Sequence, residues 1–106
     1  MAKYMIKVAY TAEGTRGLVK EGGSARRAAV QKLTEGLGGK LEAFYYALGE
    51  HDAFVILDIP DQATGLAISM AINASGAVRA ATIPLVTPEE IDAASKKSVP
   101  YRAPGA

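Results

Sequence analysis

Apolar and polar positions alternate at the start of the chain: Tyr4, Ile6, Val8 and Tyr10 share one side, and Lys3, Met5, Lys7 and Ala9 the other. This period of two predicts a strand with one strongly apolar face. The pattern is lost over residues 11–23, where Gly14, Gly17, Gly22 and Gly23 predict an irregular connection, with Leu18 and Val19 anchoring at most a short turn. Ser24 then offers a helix N-cap hydroxyl. Ala29, Val30, Leu33 and Leu37 recur at helical spacing, opposed by Arg27, Gln31 and Glu35, before Gly36, Gly38 and Gly39 end the helix.

Residues 40–48 and 53–59 predict two strands joined by the hairpin-length connection Gly49-Glu50-His51-Asp52. Leu41, Ala43, Tyr45 and Ala47 oppose Phe44, Tyr46 and Leu48, while Phe54 and Ile56 oppose Val55, Leu57 and Ile59. Both sides of these strands are apolar, which a sheet with one wet face does not need. Pro60 and Asp61 open a second helix reaching about Ala74. Its polar positions (Gln62, Gly65, Ser69, Asn73, Gly76) form a narrow uncharged stripe, so the tail or another subunit is expected to cover more of it than usual. Residues 77–86 predict a last strand, with Pro84 pointing to an edge or strand end. Thr87, Pro88 and Glu90 are the cap, first-turn proline and capping-box acid of a short helix to about Lys97. Ser98 to Ala106 reads as an extended tail.

The order strand, helix, strand, strand, helix, strand is that of two split βαβ halves: an α+β, ferredoxin-like four-stranded antiparallel sheet with both helices on one face. Residues 1–86 make the core, and residues 87–106 add a C-terminal helix and docking tail to the same domain. The helix-free face carries large apolar residues, and such a patch marks an interface. The expectation is an obligate homodimer, a dimeric α/β barrel closed by two sheets packed face to face.

Composition narrows the partners. The 106 residues carry 12 Lys plus Arg against 11 Asp plus Glu, a net charge of +1, which gives no electrostatic reason to expect nucleic acid or a membrane surface. The absence of cysteine excludes disulfides, thiol catalysis, Fe–S clusters and thiolate zinc, and a single histidine excludes multi-His metal sites. No cofactor is expected. No apolar run approaches a membrane span or a signal-peptide core, so the expected location is the cytoplasm.

Five segments together resemble the GYD domain family: Lys20-Glu21-Gly22-Gly23-Ser24-Ala25-Arg26-Arg27, Gly49-Glu50-His51-Asp52, Asn73-Ala74-Ser75-Gly76-Ala77-Val78, Leu85-Val86-Thr87-Pro88-Glu89-Glu90 and Tyr101-Arg102-Ala103-Pro104-Gly105. The resemblance spans essentially the whole chain and implies a ferredoxin-like fold of the dimeric α/β-barrel kind, with no particular activity. In the turn that gives the family its Gly-Tyr-Asp name, His51 stands where tyrosine is usual.

The candidate chemistry is spread along the chain. Lys20, Ser24, Arg26 and Arg27 surround a helix start, where free amides and cations suit a carboxylate or phosphate; the same residues also read as a glycine-permitted helix entry with Ser24 as a simple cap. His51 beside Asp52 is a candidate general base or acid, and equally a solvated turn histidine next to an aspartate bonding its own turn. Tyr45, Tyr46, Asp58 and Arg79 lie in otherwise apolar strands. They read as ligand-orienting groups of a cavity, or as rim charges with Asp58 and Arg79 either paired or on opposite sides. Asn73 lines a pocket or caps a helix end. Three functions follow: binding of a small organic or anionic ligand, a cofactor-independent isomerase or monooxygenase-like enzyme acting on a small organic acid or enol, or a structural oligomerisation module.

Overall fold

A computed structural model describes residues 2–106. Among them the chain forms β1 (Ala2–Tyr10), α1 (Ala12–Glu21), α2 (Gly23–Gly36), β2 (Lys40–Tyr46), β3 (Ala53–Ile59), α3 (Gln62–Ala74), β4 (Val78–Leu85) and α4 (Pro88–Ser95). The four strands build one antiparallel sheet in the order β2-β3-β1-β4. This is the interleaved ferredoxin-like arrangement expected from the element order.

The helices cover one face. α2 lies against β2 and α3 against β4, and the core beneath them consists of Ile6, Val8, Ala53, Val55, Leu57, Ile59 and Ile68. These are the alternating apolar positions of the two central strands together with one α3 residue. Thr34 is buried among them and satisfies its hydroxyl by donating to the Val30 carbonyl at 2.8 Å.

Residues 11–23 depart from the expected loop, because residues 12–21 are helical. The Thr11 hydroxyl accepts from the Gly14 amide at 3.2 Å, Glu13 sits in the first turn and Lys20 in the last. All three favour a helix in that direction. Gly14 is a packing requirement rather than a breaker: a Cβ there would collide with the Ala77 carbonyl, where α1 descends onto the approach to β4. Gly22, at φ 92°, ends α1 and starts α2. Ser24 therefore does not cap. Gly22 holds that position without a side-chain hydrogen bond, and Ser24 lies exposed in the first turn of α2.

β2 ends two residues earlier than expected, after an irregularity between Leu41 and Ala43. Leu48 takes a left-handed φ of 55° in the following connection. At α4 the expected capping box is present, with Thr87 and Glu90 exchanging side-chain and backbone hydrogen bonds. α4 has no buried residue, and every residue from Val86 to Ala106 is exposed. The covering expected for α3 is not supplied within the chain, since Leu66 and Met70 remain exposed.

Candidate functional site

Between α2 and α3, over the C-terminal half of β1, the helices leave a cleft of about 480 Å³ that α1 closes at one end. Small residues make the room: Gly14 and Gly17 of α1, Ala71 and Ser75 of α3, and Ala77 ahead of β4. Leu33, Ile72 and Val78 wall it, and it continues into a mainly apolar void of about 50 Å³ above Ile6 and Val8.

Few polar groups reach this space. Tyr10 ends the helix-side row of β1, and burial, reinforced by the neighbouring Tyr46, pushes its phenol up to about 12 against a slight counter-effect from Arg26. Tyr10 is a neutral phenol at physiological pH, with the Tyr46 hydroxyl as a hydrogen-bonding neighbour that contributes to the shift. Tyr46 spends its own hydroxyl on the Gly23 carbonyl at 3.1 Å, fixing the start of α2. Its ring also approaches Gly23 so closely that a Cβ there would lie 3.1 Å from it. Arg26, one turn into α2, is half-buried at the cleft wall. The ion pairs among the described residues are Lys3 with Glu42 and Lys3 with Asp58, so the guanidinium has no carboxylate partner. Glu13 and Glu21 line the outer part of the cleft without pairing with it.

The residues singled out in the sequence divide between the two faces of the sheet. His51 and Asp52 do not pair. Asp52 accepts the Tyr10 amide at 2.8 Å and donates its own amide to the Val8 carbonyl at 2.7 Å, pinning the end of β1 beside the cleft. His51 lies against Phe54, with ring centroids 6.0 Å apart, in a hollow of about 370 Å³ shared with Lys7 and Arg79. Adjacent tyrosines separate in the same way: Tyr46 joins Tyr10, whereas Tyr45 is exposed on the helix-free face.

Asp58 bonds Lys3 at 3.0 Å and not Arg79, which sits at the other end of the sheet. The two partners of Lys3, Glu42 first and then Asp58, raise its ammonium above the ordinary value. Asn73 is engaged with the backbone of β4: its Oδ1 accepts the Ala80 amide at 2.8 Å and its Nδ2 donates to the Ala80 carbonyl at 3.2 Å. Lys20, Ser24 and Arg27 are exposed and do not line the cleft. Among the described residues no cluster of His, Asp and Glu is placed to hold a metal ion, and no helix is long and apolar enough to cross a membrane.

Of the residues anticipated as ligand-binding, the cleft thus contains Arg26 directly and Tyr46 through Tyr10. Sequence reading missed Tyr10 as a polar group because it fell in register with Ile6 and Val8. A phenol ending an apolar row, whose hydroxyl must find a partner when covered, was the available signal.

The family model described as GYD domain matches residues 4–95, from β1 through the end of α4. No curated protein and no solved structure matches the chain. With the cleft, the Asp52 turn and the Gly22–Gly23 junction all inside the matched span, the chain belongs to the GYD domain family.

Proposed function

We propose that the protein binds a small amphipathic carboxylate in the cleft between its helices and sheet, and does so as a homodimer. The observation that carries this reading is Arg26. Arg26 is half-buried at the cleft wall and forms an ion pair with neither Glu13 nor Glu21, which line the outer part of the cleft, so its guanidinium can take a ligand carboxylate. That carboxylate also accepts from the neutral Tyr10 phenol, while the ligand's apolar body occupies the space lined by Leu33, Ile72 and Val78. The volume of about 480 Å³ is in the range of small-molecule sites.

Binding is better supported than proton-transfer catalysis. Tyr10 keeps its proton, Asp52 is spent on the β1 backbone, and His51 faces the other side of the sheet. A purely structural module has less support, because it needs no such cleft.

The homodimer rests on the helix-free face. Met5 is flanked by Ile56 and Ile83, and Phe54 is paired with Tyr45, forming an apolar strip with no cover from this chain. Lys3, Glu42 and Asp58 stand at one end of the strip and Lys7 and Arg79 toward the other. A second copy matches both the apolar strip and its mixed-charge borders.

The binding reading is tested by titrating the labelled protein with octanoate and, separately, 1-octanol, following backbone amide shifts. Octanoate should shift Tyr10, Leu33 and Ile72 and bind about tenfold or more tightly than the alcohol, as a charge-assisted contact to arginine implies. Arg26→Leu should remove that preference and keep the fold. Equal binding of acid and alcohol, or shifts confined to other surfaces, would overturn the reading.

A further inference from the structure

Two features of the molecule have no partner within their own chain. The first is the segment from Val86 to Ala106. It begins with a completed capping box and contains Pro88, Pro100 and Pro104, so it is conformationally restricted, yet all of it is exposed, including Ile91, Val99 and Tyr101. It stands away from the body: the radius of gyration is 16.8 Å and the longest extent 54 Å, whereas a compact chain of this length has a radius of about 13 Å. The second is the hollow at the Arg79 end of the helix-free face, where Lys7 and Arg79 lie beside His51 with no carboxylate partner among the described residues.

Within the segment the start of α4 is opposite in charge to the hollow, since it carries Glu89, Glu90 and Asp92, while Lys96, Lys97 and Arg102 follow later in the segment. Glu90 is committed to the capping box, which leaves Glu89 and Asp92. They form no ion pair with the hollow of their own chain. Leu85 ends β4 and Arg79 lies at its opposite end region, six residues or about 20 Å away, and the chain continues from Leu85 into α4 at the end away from Arg79. A second copy removes the difficulty. When two helix-free faces meet about a two-fold axis that runs β4 antiparallel to its counterpart, the Leu85 end of one copy lies over the Arg79 end of the other.

We propose that residues 86–106 are an exchanged arm, which each copy lays on its partner so that Glu89 and Asp92 meet Lys7 and Arg79 while Ile91, Val99 and Tyr101 cover the rim of the apolar strip. This rests on the homodimer reading above and adds its orientation and the segment that locks it.

The chain contains no cysteine, so engineered cysteines report without background. Full-length Arg79→Cys and Glu89→Cys proteins are mixed, equilibrated and treated with a short bis-maleimide. Covalent dimer should form in the mixture and far less with either protein alone. Sedimentation equilibrium of the unmodified chain separates the two readings: a dimer whose 79–89 pair does not cross-link overturns the arm and leaves the dimer standing, whereas a monomer overturns both. Charge reversal gives an independent measurement. Glu89→Arg with Asp92→Arg should weaken association about tenfold, and adding Lys7→Glu and Arg79→Glu should restore it. No weakening, or no restoration, counts against the arm.

Discussion

The two faces of the sheet are made from the same strands but solve different problems. On the helix-covered face, Ile6, Val55, Leu57 and Ile59 are each exposed by 4% or less and carry the core. On the other, Met5, Phe54, Ile56 and Ile83 are only half-buried, with charged residues interspersed among them. The first face gains from intramolecular packing, and disrupting it unfolds the chain. The second is shielded only by its own neighbouring side chains, so its apolar area is available for association. Apolar content alone therefore does not separate the covered face from the open one; the presence of charge between the apolar residues does.

The contrast is broken most severely at Leu57. Leu57→Ala should destabilise the fold by about 2–5 kcal/mol, read by urea denaturation, because the side chain is 1% exposed and its removal leaves a cavity. A loss below about 1 kcal/mol would mean that the covered face is not the core. The matching change on the open face, Ile56→Asp, should leave the monomer folded and weaken association by tenfold or more, since burial of an isoleucine side chain is worth about 1.5–3 kcal/mol. Unchanged sedimentation would remove that face from the interface.

A smaller effect separates the faces by pH. Tyr10 has a phenol raised from the ordinary 10.0 to about 12. Between these values the folded chain keeps a proton that the unfolded chain has lost, so stability falls as pH rises through that window. Tyr10→Phe should lack this share of the alkaline decline in denaturation curves, whereas Tyr45→Phe on the exposed face should retain it. The smallest effect is at Thr87. Thr87→Ala should reduce amide protection within α4 while moving the unfolding midpoint of the sheet by less than about 0.5 kcal/mol, because α4 buries nothing in its own chain.

The parts of the fold visible in the sequence were those decided by local pattern. β3 has the expected limits Ala53–Ile59, and the Thr87–Glu90 box stands where its spacing placed it. α1 was hidden because its glycines answer to a tertiary contact: Gly14 matters for the approach to Ala77, some sixty residues away in the chain. The cleft was obscured for the same reason, since α1 forms its end wall and Tyr10 becomes a cleft residue only when α1 is in place. The separation of His51 from Asp52 shows a further limit. Sequence adjacency suggests a pair, while in the turn before β3 Asp52 is taken by the Tyr10 amide and His51 packs on Phe54.

Asn73 has a consequence for how copies of this chain can accumulate. A lateral strand of a sheet is ordinarily a template on which a foreign strand can add, and addition can then repeat without limit. Here the carboxamide of Asn73 occupies the outward amide and carbonyl of Ala80, and Pro84 has no amide hydrogen to offer. That margin is blunted against runaway polymerisation.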